Sequence, residues 1–279
     1  MKSFNKLAVA ISAVGLLTTA APTFATPVLT FTTANYGVQS LDVFGGFDWN
    51  SAASAVTTGF TGTTGDITTT TYWANAVSIQ NPSGGNFLTP GISPAAPLSG
   101  PTQGWEFTVK STITEIVTCV DVLCTQANFS TLGGVFDIYY QDLADANLLT
   151  GAGITNGTKV FSGAINPGFA GTFTNVGAGG IGIFNFTGNL SYVNAAFVDT
   201  SLLNTTAVST LQIGSFTTAW AAPSNLPGAG GASGAAISPD DLVFQADGNQ
   251  KFNRIPEPGT MALLGLSLVG LGFARRRKD

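Results

Sequence analysis

The chain has 279 residues, with 10 Lys or Arg, 15 Asp or Glu and no His, which gives a formal net charge of −5. The absence of histidine excludes imidazole metal sites, and it also excludes catalysis by Ser-His-Asp or Cys-His groups. Nucleic acid is disfavoured as a partner, because neutralising phosphates requires clustered Lys or Arg. A hydrophobic fraction of 44% is typical of a folded chain and not of a disordered one.

The N-terminal segment has the features of a secretory signal peptide. Two lysines flank the start of an apolar stretch at residues 7–17, and small residues follow that stretch. The stretch is short for the ~30 Å hydrocarbon core of a bilayer, which disfavours the alternative of an uncleaved anchor helix. We expect residues 1–25 to direct export, with cleavage between Ala25 and Thr26.

Residues 26–254 predict an extracellular all-β domain. Polar and apolar side chains alternate over residues 105–118, which predicts a half-buried strand or a pair of strands. Residues 223–239, rich in Gly and Ala, predict a surface loop or a semi-flexible insertion. Further strands are predicted at 135–140, 159–163, 181–187, 192–198, 211–217 and 242–246. Many short strands with Gly-rich turns favour an antiparallel β-sandwich, of which a jelly roll is one form.

The two cysteines, Cys119 and Cys124, are predicted to form a disulfide. Exported proteins keep disulfides, and the four residues between the cysteines make only a short loop. A redox role is disfavoured, because the spacing is C-x4-C and no basic neighbour lowers the pKa of a thiol. We therefore expect a structural bridge.

The acidic residues give no clear catalytic or metal site, and we predict neither a metal nor a cofactor. Glu106 and Glu115 have opposite parity on one strand, so they would face opposite sides and would not form a catalytic pair. A polysaccharide hydrolase or lyase stays open as the less favoured alternative. Loop oxygens suit Ca²⁺ at two places, although turn chemistry is the favoured reading of both. These places are Asp142, Asp145 and Asn147, and Asp247 with Asn249.

A carbohydrate-binding, lectin-like module is the second alternative, because exposed aromatic rings bind sugars. Trp105 on its alternating strand is predicted to lie in the core. Trp73 has polar neighbours and could be exposed, although core packing is favoured for it as well. The remaining candidate rings are Trp49, Trp220, Tyr72, Tyr139 and Tyr140.

The C-terminal region, residues 255–279, combines three features in order. Pro256-Glu257-Pro258 precedes an uncharged stretch at 260–274, which is followed by Arg275, Arg276, Arg277 and Lys278. The prolines keep the motif extended, and the stretch is a marginal transmembrane helix whose basic tail stays cytoplasmic. This arrangement resembles the PEP-CTERM sorting signal of exopolysaccharide-producing Gram-negative bacteria. The resemblance implies transient retention in the inner membrane and processing by an exosortase near the motif. A plain tail anchor is the alternative.

A second resemblance lies in the middle of the chain. The order of several segments is similar to that in the flocculation-associated PEP-CTERM proteins: residues 104–110, which contain Glu106-Phe107-Thr108, and residues 114–118, 136–140, 144–151 and 156–163. Gln141 stands where that pattern has an acid, and Gly151-Ala152-Gly153 stands where it has Gly-Thr-Gly. The resemblance implies an exported protein of the cell surface or extracellular matrix that supports flocculation or biofilm formation with exopolysaccharide. We expect the protein to be non-enzymatic.

Overall fold

A computed structural model describes residues 28–33, 37–41, 44–83, 85–87, 104–168, 170–176, 179–198, 202–214, 216 and 219–253. The predicted signal peptide, its cleavage site and the C-terminal sorting region with its hydrophobic helix lie outside these residues. In the part of the chain that the structure describes, no helix has the length and apolar character needed to cross a membrane.

The described residues are mostly β-strand, with one 3₁₀ turn at Ala229–Gly231. The strands are β1 (Leu29–Thr33), β2 (Gly37–Leu41), β3 (Gly46–Trp49), β4 (Ala53–Thr58), β5 (Ile67–Gln80), β6 (Asn86–Phe87), β7 (Glu106–Cys119), β8 (Gln126–Gln141), β9 (Thr158–Ile165), β10 (Ala170–Val176), β11 (Gly179–Val193), β12 (Thr206–Ile213), β13 (Asn225–Pro227), β14 (Ser233–Ala236) and β15 (Leu242–Asn253).

Eleven of the strands form one antiparallel sheet in the order β10-β11-β12-β15-β3-β5-β7-β8-β9, with β4 and β6 added beside β5. The sheet returns on itself, because β8 pairs with both β9 and β10, and each of these pairs with β11. The sheet therefore forms two layers that face each other across a common core, and the predicted antiparallel β-sandwich is confirmed.

Aromatic side chains fill the space between the layers. Trp105 immediately precedes β7 and Phe107 lies within it. Both side chains are buried against rings from other strands. Phe107 lies 5.1 Å from Phe47 and 5.2 Å from Tyr140, measured between ring centroids. Burying one such ring contributes about 1.5–3 kcal/mol, so this cluster is a main source of stability.

A second, smaller core lies on the outer face of β4 and β5. Its members are Ala52, Val56, Trp73, Ala146, Leu148 and Ile154. The covering segment, residues 142–157, comes from the chain after β8, and we call it the cover loop. The indole N–H of Trp73 donates to the carbonyl oxygen of Leu148 at 3.1 Å, which ties the cover loop to β5.

The strand predictions at 135–140, 159–163, 181–187 and 242–246 are confirmed, since these residues lie in β8, β9, β11 and β15. The prediction at 192–198 is wrong beyond Val193. There Asn194 stops the strand, because its side-chain oxygen accepts from the backbone N–H of Ala196 at 3.0 Å and stabilises a turn.

The prediction at 211–217 is confirmed for residues 211–213, which end β12, and is wrong at Gly214, where the chain bends, and at Phe216; residues 215 and 217 lie outside the described residues. Residues 223–239 lie on the surface, but they contain the paired strands β13 and β14, so they are ordered by their own hairpin. The backbone N–H of Ile237 also donates to the carbonyl oxygen of Ser224 at 3.0 Å.

Candidate functional site

The predicted disulfide is present between Cys119 and Cys124, where β7 turns into β8. Asp121 organises the enclosed loop. Its carboxylate accepts from the hydroxyl and backbone N–H of Thr125, and from the backbone N–H groups of Leu123 and Gln126. These hydrogen bonds, with that of the Thr125 hydroxyl the largest, lower the pKa of Asp121. The bridge and this carboxylate hold the tip of the hairpin in one conformation.

Glu106 fixes the cover loop to β7. Its Oε1 accepts from Nε2 of Gln141 at 2.6 Å and from the backbone N–H groups of Asp145 and Ala146, both at 2.8 Å. Its Oε2 is buried without a hydrogen-bond partner. Burial raises the pKa of Glu106 to about 7, although the three donors act in the opposite direction. Glu106, which belongs to the flocculation-like segment, is therefore a structural anchor for the cover loop.

Other residues in the flocculation-like segment and beside it shape the cover loop. Asn147 accepts at its side-chain oxygen from the backbone N–H groups of Leu149 and Thr150, both at 3.0 Å, and so closes the turn. Gly153 has φ of +75°, and a side chain there would meet the backbone of Asp145. The hydroxyl of Thr108 donates to the carbonyl oxygen of Ile154 at 2.6 Å.

Glu115 lies on the inner face of β7, inside the sandwich, and its side chain is only 1% exposed. Its Oε2 accepts from the hydroxyl of Thr70 at 3.0 Å, whereas its Oε1 has no partner. Thr131 lies directly opposite on β8, and its buried hydroxyl is also without a partner. Burial raises the pKa of Glu115 to about 7. In the folded protein, the Glu115 carboxyl group is therefore expected to be protonated below neutral pH.

The two glutamates do not come together, as strand parity predicts. Glu106 bonds to the cover loop outside the sheet, and Glu115 bonds to Thr70 inside it. Asp48 and Asp247 are a second acidic pair, half-buried on β3 and β15, and burial raises the pKa of both. Across the described ranges there is no group of three or more acidic or cysteine side chains that could hold a metal ion.

Hydrogen bonds within the protein engage several of the side chains considered for Ca²⁺. Asp145 accepts from the amide nitrogen of Asn156 at 2.9 Å, and Asn147 closes its own turn. Asp142 accepts at Oδ1 from the hydroxyl of Tyr140 at 2.8 Å. In the second place, Asn249 donates to Gln80 at 3.2 Å.

The candidate sugar-binding rings are mainly core residues. Trp49, Trp73 and Trp105 are buried, which confirms the core prediction for Trp105 and the favoured reading for Trp73. Trp220 is half-buried, and its indole N–H donates to the hydroxyl of Ser54 at 3.1 Å. Tyr72 and Tyr140 are also buried, and Tyr139 is half-buried with its hydroxyl 3.3 Å from Asp137.

A cleft that sequence reasoning missed opens at one rim of the sandwich. It has a volume of about 480 Å³ and lies between β1, the end of β8, the start of β9 and residues 196–197. We call it the rim cleft. Its polar side chains include Thr32, Asp142, Asn156 and Thr158, all exposed, and its apolar wall includes Phe197.

The comparisons with known proteins bear on the C-terminal region. A family model described as the PEP-CTERM protein-sorting motif matches residues 254–278, a range that contains the Pro-Glu-Pro motif and the basic cluster. No curated protein and no solved structure matches the chain. The β-rich domain therefore belongs to an exported, cell-surface-directed protein with an exosortase-type sorting signal. The chain therefore carries a PEP-CTERM protein-sorting motif at residues 254–278.

Proposed function

We propose that the exported domain is a non-enzymatic component of an extracellular polysaccharide matrix and that it supports flocculation or biofilm formation. The observation that carries this proposal is the sorting motif at residues 254–278, which directs the domain to the cell surface. The resemblance of residues 104–163 to the flocculation-associated PEP-CTERM proteins supports it further.

The positions of the buried carboxylates favour a non-catalytic role. Glu106 holds the cover loop and Glu115 lies inside the sandwich, so each has a structural partner and neither faces the other. Catalysis of glycoside cleavage ordinarily needs two carboxyl groups that flank one glycosidic bond. These two side chains do not meet that requirement.

The outer face of β10, β11 and β12, with the start of β8, supports contact with a hydrated neutral polymer. Its outward residues combine hydroxyl and amide groups with two isoleucines, and none of those described is charged: Asn128, Ser130, Thr172, Thr174, Ile181, Ile183, Asn185, Thr210 and Gln212. Within this face, the hydroxyl of Thr210 donates to the side-chain oxygen of Asn185 at 3.1 Å. Hydroxyl and amide groups both donate and accept hydrogen bonds, as sugar hydroxyls require.

A flocculation assay tests the proposal in the producing bacterium. Cells that lack the protein should settle more slowly and retain less exopolysaccharide, and the wild-type chain should restore both properties. A chain with Pro256→Ala, Glu257→Ala and Pro258→Ala should not restore them. Wild-type settling by the deletion strain would contradict the matrix role. Reducing ends released from purified exopolysaccharide by the protein would instead favour a hydrolase.

A further inference from the structure

We propose that the rim cleft binds a neutral hexose unit of the matrix polysaccharide. This inference rests on the proposed matrix function and adds to it a defined subsite and a ligand class. Three features of the cleft support it: the polar groups held in place at its mouth, the ring beside them, and the charge of its lining residues.

The first polar group is the carboxylate of Asp142. The hydroxyl of Tyr140 lies 2.8 Å from Oδ1 of Asp142 and 2.7 Å from the carbonyl oxygen of Thr32, so the buried tyrosine positions the exposed acid. The other oxygen of Asp142 remains as an acceptor for a ligand hydroxyl. Hydrogen bonds to an ionised acceptor are roughly twice as strong as those between neutral groups.

Neutral groups stand beside this acid. The amide nitrogen of Asn156 donates to Asp145 at 2.9 Å, which fixes the amide and leaves its carbonyl oxygen as an acceptor. Thr32 and Thr158 add exposed hydroxyl groups, each of which can donate and accept. Together these groups suit the neighbouring hydroxyls of a sugar, since each sugar hydroxyl also donates and accepts.

Phe197 supplies the apolar wall. Its ring is half-buried and packs 5.3 Å from the ring of Tyr140, measured between centroids, so it is held in place. A sugar ring has an apolar C–H face that can cover such a surface. The cleft volume of about 480 Å³ lies within the ~300–1,000 Å³ range of ligand pockets.

The charge of the cleft selects for neutral ligands. Among its described lining residues Asp142 is charged and none is basic. A carboxylate without a neighbouring cation repels phosphate, sulfate and uronate groups at short range. A neutral hexose satisfies the same hydrogen-bonding groups without this repulsion.

Binding of oligosaccharides by the exported protein, purified from the cells that release it, tests the inference. The probes are cellotetraose, maltotetraose and mannotetraose, with trigalacturonate as an anionic comparison, measured by calorimetry and saturation-transfer NMR. At least one neutral tetramer should bind saturably. Asp142→Asn removes the charge, and Thr158→Arg fills the mouth of the cleft. Each change should raise the dissociation constant of that tetramer by about tenfold or more.

Matched controls carry the same changes elsewhere on the surface. Asp240→Asn alters an exposed acid in the 238–241 turn, and Thr63→Arg adds an exposed arginine in the turn between β4 and β5, outside both the rim cleft and the β10–β12 face. Both should bind as the wild type does. Thermal unfolding of each variant tests whether it is folded. If Asp142→Asn is not folded, Thr158→Arg alone tests binding in the rim cleft.

The inference is overturned if no neutral tetramer binds, if only trigalacturonate binds, or if Thr158→Arg binds as the wild type does. Gln212→Arg changes the outer face of β12, and loss of binding in this variant but not in Thr158→Arg would place the glycan on that face and would also overturn the inference. The proposed function is tested apart from the cleft: cells that carry Thr158→Arg and still settle normally contradict the subsite and leave the matrix role intact.

Discussion

Replacement of Glu115 by Gln should stabilise the protein above neutral pH and leave its stability nearly unchanged at pH 4. The folded state raises the pKa of Glu115 from 4.5 to about 7, so between these values the folded protein holds a proton that the unfolded chain releases. The free energy of unfolding therefore falls as the pH rises through this window. Since a pKa shift of this size corresponds to roughly 3 kcal/mol, the wild type should lose about that much of its free energy of unfolding through this residue alone.

The amide introduced by Glu115→Gln does not ionise, so this loss should be absent from the variant. The amide oxygen can still accept from Thr70, and the amide nitrogen can donate to Thr131, which lies directly opposite. Urea unfolding followed by tryptophan fluorescence, from pH 4 to pH 8.5 with the disulfide intact, measures the difference.

Two controls accompany the measurement. Glu106→Gln should show a pH effect of the same sign, because burial raises the pKa of Glu106 to about 7 as well. Asp66→Asn should show the opposite sign, because hydrogen bonds from Thr61 and Thr63 lower the pKa of exposed Asp66 and its contribution is lost as the pH falls. If the curves for Glu115→Gln and wild type run parallel from pH 4 to pH 8.5, the reasoning about Glu115 is wrong.

Three further predictions concern stability and hydration. Cys119→Ser with Cys124→Ser should lower the free energy of unfolding by about 2 kcal/mol, the value for a bridge that closes so short a loop, and reductant should have no effect on this variant in urea titrations. Trp73→Phe should lower the free energy of unfolding by about 2 kcal/mol and increase protease cleavage within residues 142–157, because the carbonyl of Leu148 loses its buried donor. Unchanged cleavage would contradict the role of Trp73 in anchoring the cover loop. A high-resolution crystal structure should show ordered water near the hydroxyl of Tyr72 and Oε1 of Gln250, because both atoms are buried without protein partners and line a cavity of about 40 Å³; an empty cavity there would count against this.

Sequence reasoning predicted the parts of the fold that local pattern determines. Alternation over residues 105–118 placed Phe107 and Glu115 on one face of the strand and Glu106 on the other, and the structure shows that the first face is the inner one. The sequence analysis predicted no strand over 67–80, because Thr-rich segments lack the strong apolar alternation that marks a half-buried strand. That segment is β5, which is buried on one face by the core of the β-sandwich and on the other face by the cover loop.

The candidate site depends on contacts that local pattern cannot show. Glu106 accepts from the backbone of Ala146, 40 residues later, so nothing near it in the chain indicates that it is covered. The rim cleft joins Tyr140 to Thr32 across 108 residues, and its polar groups look like ordinary turn residues when they are read in sequence. Only the closed sheet brings these segments together.

The central claim is that the β-rich domain reaches the cell surface by way of its C-terminal sorting signal. Intact-mass analysis of protein recovered from the native cell surface or medium tests this most directly, beside the variant with Pro256→Ala, Glu257→Ala and Pro258→Ala. The wild-type mass should lack residues 1–25 and the residues beyond about 256, and the variant should stay uncleaved in the membrane. A wild-type mass that retains Arg275 to Asp279, with both proteins behaving alike, would mean a plain tail anchor and would contradict the account.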